Sequence, residues 1–178
     1  MERTLSMRKN NWIREVSFVV LLCFFLTSLS PLSAAASLKH YVTKYRAIQV
    51  ADEQQKRLSR YYYLIDYFSE FSFFKRRHKV NPDFIRALIL AESNAYPRAK
   101  SNKNALGLTQ ITYATGKQAA NELARKHIHF RYVSKKKLKN LRPNDLYNPA
   151  VNILLACYLI AKYNAQHRGK LDLVVSAW

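Results

Sequence analysis

Hydrophobic positions along this chain form three patterns. The first is an uncharged apolar run, SFVVLLCFFLTSLSPLSAAAS from Ser17, preceded by a stretch in which Arg3, Arg8, Lys9 and Arg14 stand against Glu2 and Glu15. The second is helical: Leu58, Tyr61, Ile65, Phe68 and Ser72 recur at alternating spacings of three and four, as one face of an α-helix requires. It predicts one helix from Ala51 to Phe74, ending in Lys75, Arg76, Arg77, His78 and Lys79, whose charge suits a helix C-terminus. Asn81-Pro82 then opens another helix, with Asn as N-cap, Pro at the first helical position and Asp83 in the first turn. The third pattern is VNILLACYLIAKY behind a second such signature, Asn148-Pro149; it is apolar on nearly every side, which predicts a central buried helix. A loop around Arg98 to Gly107, a helix near Lys117 to Lys126 and a basic patch, KHIHFRYVSKKKLKNLRP, fill the interval, and no internal repeat is visible.

Composition narrows the fold class. A length of 178 residues with 49% apolar side chains suffices for a buried core, and three glycines and five prolines are too few for a turn-rich β fold. The expected fold is all-α. The opening basic stretch and apolar run have the layout of a secretory signal, with Ala34 and Ala36 as an A-x-A cleavage site. An uncleaved signal anchor is the alternative, since the uncharged run is long enough to span a bilayer. The expected organisation is a signal segment over residues 1–36, a basic, aromatic helical arm over 37–79 and a main domain over 80–178. Export places the protein in a periplasm or cell envelope. It also leaves Cys157 as the one cysteine of a processed chain, to be read as a small buried hydrophobe.

Charge enlarges the list of partners before it shortens it. The 30 Lys and Arg against 11 Asp and Glu give +19; removing residues 1–36 takes away four basic and two acidic side chains and leaves +17. Lys135, Lys136, Lys137 and Lys139 would suit nucleic-acid phosphates. An export signal argues against that partner and favours anionic envelope surfaces, where charge raises encounter rates. His127-x-His129 supplies too few ligands for a metal, and no Gly-rich phosphate loop or serine-nucleophile elbow is present, so no cofactor is expected.

The candidate chemistry centres on Glu92. It lies seven residues beyond Ile85, in line with the apolar stripe of Ile85, Leu88 and Ile89, near the end of its helix. Desolvation and the helix C-terminus both disfavour its ionised form, so it would hold a proton towards neutral pH as a general acid must; pairing with a nearby Lys or Arg is the competing reading. From Ala91 the sequence AESNAYPRAKSNKNALGLTQIT resembles the catalytic segment of the lytic transglycosylase, or goose-lysozyme-like, family. Glu92-Ser93 matches its E-S; Pro97, Ala99 and Ser101 match P-x-A-x-S; Gly107, Leu108, Gln110 and Ile111 match G-L-M-Q-I, with Thr109 in place of Met. Asn148, Pro149, Asn152 and Ile153 follow the family's D-P-x-x-N-I helix, and LVVSAW resembles the start of its A-Y-N motif, with Trp178 at the Tyr position.

The resemblance implies a lysozyme-like domain that cleaves the MurNAc-GlcNAc β-1,4 bond of peptidoglycan with a single Glu. On that implication Glu92 is acid and then base, Ser101, Gln110 and Trp178 contact the glycan, and Gly107 lets backbone approach it. Ser93 and Asn152 have supporting roles. Tryptophan lacks the hydroxyl through which the family's Tyr is thought to reach the acid. The rest of A-Y-N would lie beyond Trp178, so the domain is expected to be C-terminally incomplete. Two alternatives stay open, a lysozyme-type hydrolase and a catalytically impaired peptidoglycan-binding or scaffold protein. So does the choice between wall remodelling and service to a secretion or conjugation machine.

Overall fold

A computed structural model describes residues 50–74 and 79–178. The signal segment, most of the expected arm before Val50 and residues 75–78 of the basic cluster lie outside the described residues. The described chain is all-α but for one small hairpin. Its elements are α1 (Asp52–Ser59), α2 (Tyr62–Ser69), α3 (Pro82–Ser93), β1 (Ala105–Leu106), β2 (Ile111–Thr112), α4 (Tyr113–Arg125), α5 (Lys135–Lys139), a 3-10 turn (Pro143–Tyr147), α6 (Pro149–Gln166) and α7 (Leu171–Ser176). The two strands pair antiparallel, Ala105 opposite Thr112 and Leu106 opposite Ile111.

Both Asn-Pro signatures start helices as the sequence predicts. Asn81 Oδ1 accepts from the Asp83 N–H at 2.8 Å, and Asn148 Oδ1 from Ala150 and Val151 at 3.0 and 3.3 Å. Each satisfies donors that have no partner within a first helical turn. Helix α6 is the hub. Every residue from Val151 to Ala161 is buried, and α2, α3, α4, α7 and the 3-10 turn all pack on it. Within it the Cys157 thiol is wholly enclosed, and desolvation pushes its pKa up to about 12.

The single helix predicted from Ala51 to Phe74 is instead two helices of eight residues. The chain turns at Arg60 and Tyr61, where the Tyr61 N–H donates to the Leu58 carbonyl at 2.9 Å and Tyr61 sits at φ −110°, ψ 0°. No proline or glycine forces this break. Two effects account for it. Consecutive tyrosines lose side-chain freedom in a helix, and the turn lets α1 pack on α3 while α2 packs on α3 and α6. Leu58, Leu64, Ile65, Phe68 and Phe73 thereby join the same hydrophobic core as α3 and α6. The predicted helix near Lys117 starts earlier, at Tyr113, where Thr112 Oγ1 accepts from the Thr115 N–H.

Candidate active site

Helix α3 carries Ile85 and Ile89 fully into the core and leaves Glu92 half-buried one turn further on. Burial raises the Glu92 pKa above the ordinary carboxylate value, while a hydrogen bond from Trp178 pulls the other way without cancelling it. Indole has one polar hydrogen, so the donor is the Trp178 Nε1–H. Trp178 also lines a small cleft, about 50 Å³, with Gln110, Ile111, Thr112, Thr115, Leu159 and Tyr163. Glu92 is not itself among the cleft's lining residues; Trp178 is the residue common to the cleft and to the Glu92 interaction.

The segment after Glu92 is held by its own side chains. Ser93 Oγ donates to the Leu108 carbonyl at 2.7 Å and lies 3.1 Å from that of Ile89, tying the end of α3 to the loop. Ser101 Oγ accepts from the Lys103 and Ala105 N–H groups at 3.3 and 3.1 Å. Its hydroxyl proton is unused in both contacts, and Ser101 is not part of the cleft lining. Gln110, at φ +51°, donates through Nε2 to the Gly107 carbonyl at 2.8 Å and that of Ala99 at 3.2 Å. Gln110 therefore closes the loop and lines the cleft at once.

Asn152 is completely buried and saturated. Its Oδ1 accepts from the N–H and hydroxyl of Thr109 at 2.9 and 2.8 Å, and its Nδ2 donates to the Leu106 and Leu146 carbonyls at 3.0 and 2.9 Å. Gly107 faces inwards: a Cβ there would overlap the Leu146 carbonyl oxygen and the Asn152 amide. Its φ of +80° also favours glycine. Gly107 thus lets the loop seat against α6.

Four other carboxylates have partners of their own. Asp83 pairs with Arg86, which also holds Asp66. Burial opposes ionisation of Glu122, but hydrogen bonds from Lys162, Tyr158 and Gln118 and the Lys162 charge outweigh it and hold its pKa below the usual range. Asp145 takes the Arg142 N–H and pairs with Lys137 at the edge of a larger basic cleft, about 480 Å³, which contains none of the expected site residues. Among the described residues no group of three metal-ligating side chains converges.

The sequence reading gave no role to Thr109, beyond its place in the motif, or to Thr112, Thr115, Leu159 and Tyr163; Thr112, which caps α4, also lines the cleft. Thr109 carried a signal: a hydroxyl where the motif has Met needs a polar partner if buried, and Asn152 is that partner. The other three cleft residues carried none, since Leu159 sits on α6 among equally apolar neighbours, Tyr163 lies near the polar end of that helix, and Thr115 reads as an ordinary first-turn residue.

Fold and site together define an all-α domain in which one half-buried carboxyl, Glu92 on α3, has its pKa raised by burial. The family model described as "Transglycosylase SLT domain" matches residues 71–178, and the chain belongs to that family. Among solved structures, the 70 kDa soluble lytic transglycosylase SLT70 from Escherichia coli is similar at 19% identity and a TM-score of 0.43. That similarity covers 58% of this chain and 14% of the other. No curated protein matches.

Proposed function

We propose that this chain is a peptidoglycan lytic transglycosylase, cleaving MurNAc-GlcNAc β-1,4 bonds without water and leaving 1,6-anhydro-MurNAc ends. The observation that carries the reading is the raised pKa of the half-buried Glu92 carboxyl, with desolvation as its main cause, and its interaction with Trp178, which lines the cleft. Asp83, Glu122 and Asp145 are tied into ion pairs of their own, so a mechanism needing one carboxyl suits the site better than one needing two. Glu92 gives its proton to the glycosidic oxygen as the C1–O bond breaks. The resulting carboxylate takes the proton of the C6 hydroxyl while O6 bonds to C1. The ring closes, Glu92 is again protonated, and no water is consumed. Trp178 steadies the carboxylate by its indole N–H, Gln110 and Ser101 bind the sugar, and Ser93 and Asn152 hold the loop.

In the same reading residues 1–36 export the chain, by a cleaved signal or as an anchor, to the periplasm or envelope. Among the described residues no helix is long and apolar enough to cross a membrane. Glycan strands are the substrate, and the basic surface draws the enzyme towards anionic envelope components. Nucleic acid is not a partner in this reading, and remodelling of the wall and opening it for a secretion or conjugation machine both fit.

The test is digestion of peptidoglycan sacculi by the chain and by Glu92→Gln, with released fragments identified by mass spectrometry. Anhydro-ended products, reduced at least about 100-fold in the variant, are expected. Reducing ends would make the protein a lysozyme, and no release would leave a glycan binder. Because the active form is protonated, activity falls as pH rises through the Glu92 pKa, so the alkaline limb of the rate profile should lie above 4.5, the ordinary value for Glu. A limb at or below 4.5 refutes the acid role.

A further inference from the structure

Helix α3 ends in an unusual way. Asn94 and Ala95, directly after Glu92 and Ser93, both adopt left-handed backbone at φ +49° and +61°. This conformation is costly for residues with a Cβ, less so for Asn than for Ala, and two in succession must be imposed by their surroundings. The helix supplies part of them itself: the Asn94 N–H donates to the Leu90 carbonyl at 3.0 Å, the Ala95 N–H to the Ile89 carbonyl at 3.4 Å, and Ala95 is buried in the core; the side-chain contacts come from α1. Gln54 Nε2 donates to Asn94 Oδ1 at 2.9 Å, and Arg57 Nε donates to the Asn94 carbonyl at 3.1 Å. The Arg57 guanidinium also lies over the Tyr96 ring, 4.4 Å from its centroid. Gln54 has a second duty: its Oε1 accepts from the Ala51 N–H at 3.1 Å and so caps α1 itself. The segment matched by the family begins at residue 71, so α1 lies outside it.

We propose that Gln54 and Arg57 are positioning residues for Glu92, an inference that rests on the catalytic reading of that residue. They hold Asn94 and Tyr96, fix the left-handed turn and thereby set where the last turn of α3 presents its carboxyl. Without them Asn94 and Ala95 relax towards right-handed backbone, the end of α3 shifts, and Glu92 loses its fixed depth beside Trp178. The family domain in this chain thus depends on a helix that precedes the matched segment.

The test uses the full 178-residue chain carrying Gln54→Ala and Arg57→Ala together, with Lys56→Ala as a control that removes a charge from the same helix and leaves the clamp intact. Cα and Cβ chemical shifts of Asn94 and Ala95 report the left-handed turn independently of activity. On soluble glycan strands kcat should fall about 10-fold with KM within about twofold, as expected when a reacting group is misplaced by less than 1 Å. The alkaline limb of the pH profile should move towards 4.5 as Glu92 gains water, and Lys56→Ala should match the parent throughout. Should the double variant fail to fold, Gln54→Ala alone removes one contact with the same readouts. Left-handed shifts that persist, or a kcat and pH limb that do not move, overturn the proposal. Full activity in Glu92→Gln would instead remove the catalytic reading, and the chemical shifts would still decide whether the clamp shapes the turn.

Discussion

Between Val151 and Ala161 helix α6 buries every side chain, and Asn152 is the one amide among them. The loop from Ser93 to Thr112 buries fewer side chains, and five of its residues, Asn94, Ala95, Asn104, Gly107 and Gln110, adopt positive φ. The helix is held by area removed from water, a force without direction that tolerates a change of shape at constant volume. The loop is held by Ser93, Ser101, Gln110 and Asn152, whose hydrogen bonds have fixed lengths and angles. The two regions should therefore fail differently: the core loses stability by degrees, whereas the loop loses its shape when one partner goes. Asn152 belongs to both, which makes it the place to separate them.

The largest expected effect is at that junction. Asn152→Leu keeps the shape of the side chain but strands the Thr109 N–H and the Leu106 and Leu146 carbonyls, at a cost of about 4 kcal/mol. The urea midpoint should drop accordingly. Gly107→Ala comes next, at about 3 kcal/mol, since the methyl meets a carbonyl oxygen and the backbone is left-handed; thermal unfolding of the variant measures it. Leu154→Met, fully buried two residues from Asn152, should cost less than about 1.5 kcal/mol. Equal losses for Leu154→Met and Asn152→Leu in the same urea series would erase the distinction between area and direction.

The smallest effect concerns pH. The folded pKa of Glu122 is depressed, so its contribution is present above the unfolded pKa and is lost as pH falls through the folded one. For a half-exposed pair with Lys162 this amounts to about 1 kcal/mol or less. Glu122→Gln should flatten the acid limb of a stability profile by that amount and leave the loop unaffected.

The same contrast explains what could be read in the sequence. The starts of α3 and α6 were legible because an Asn cap and a first-turn Pro act within three residues. The burial of α6 was legible from its apolarity, and Glu92 from its register with Ile85 and Ile89. The break at Arg60 and Tyr61 was not, because neighbouring helices decide it. Of the five left-handed loop residues only Gly107 announces its backbone, and its packing on α6 depends on Leu146 and Asn152, far away in sequence. The contact between Glu92 and Trp178 joins positions 86 residues apart, a relation that no local pattern encodes.

Cys157 gives the helical hub a reporter. Its thiol is fully enclosed and holds its proton far above neutrality, so an alkylating reagent reaches it only when some part of the fold opens. Ser69 of α2 lies against it, 3.9 Å from hydroxyl oxygen to sulfur. In a Cys23→Ser chain, which keeps this one thiol, departure of α2 alone would start the labelling clock. The alkylation rate compared with the rate of global unfolding then dates the release of the N-terminal helices relative to collapse of the core.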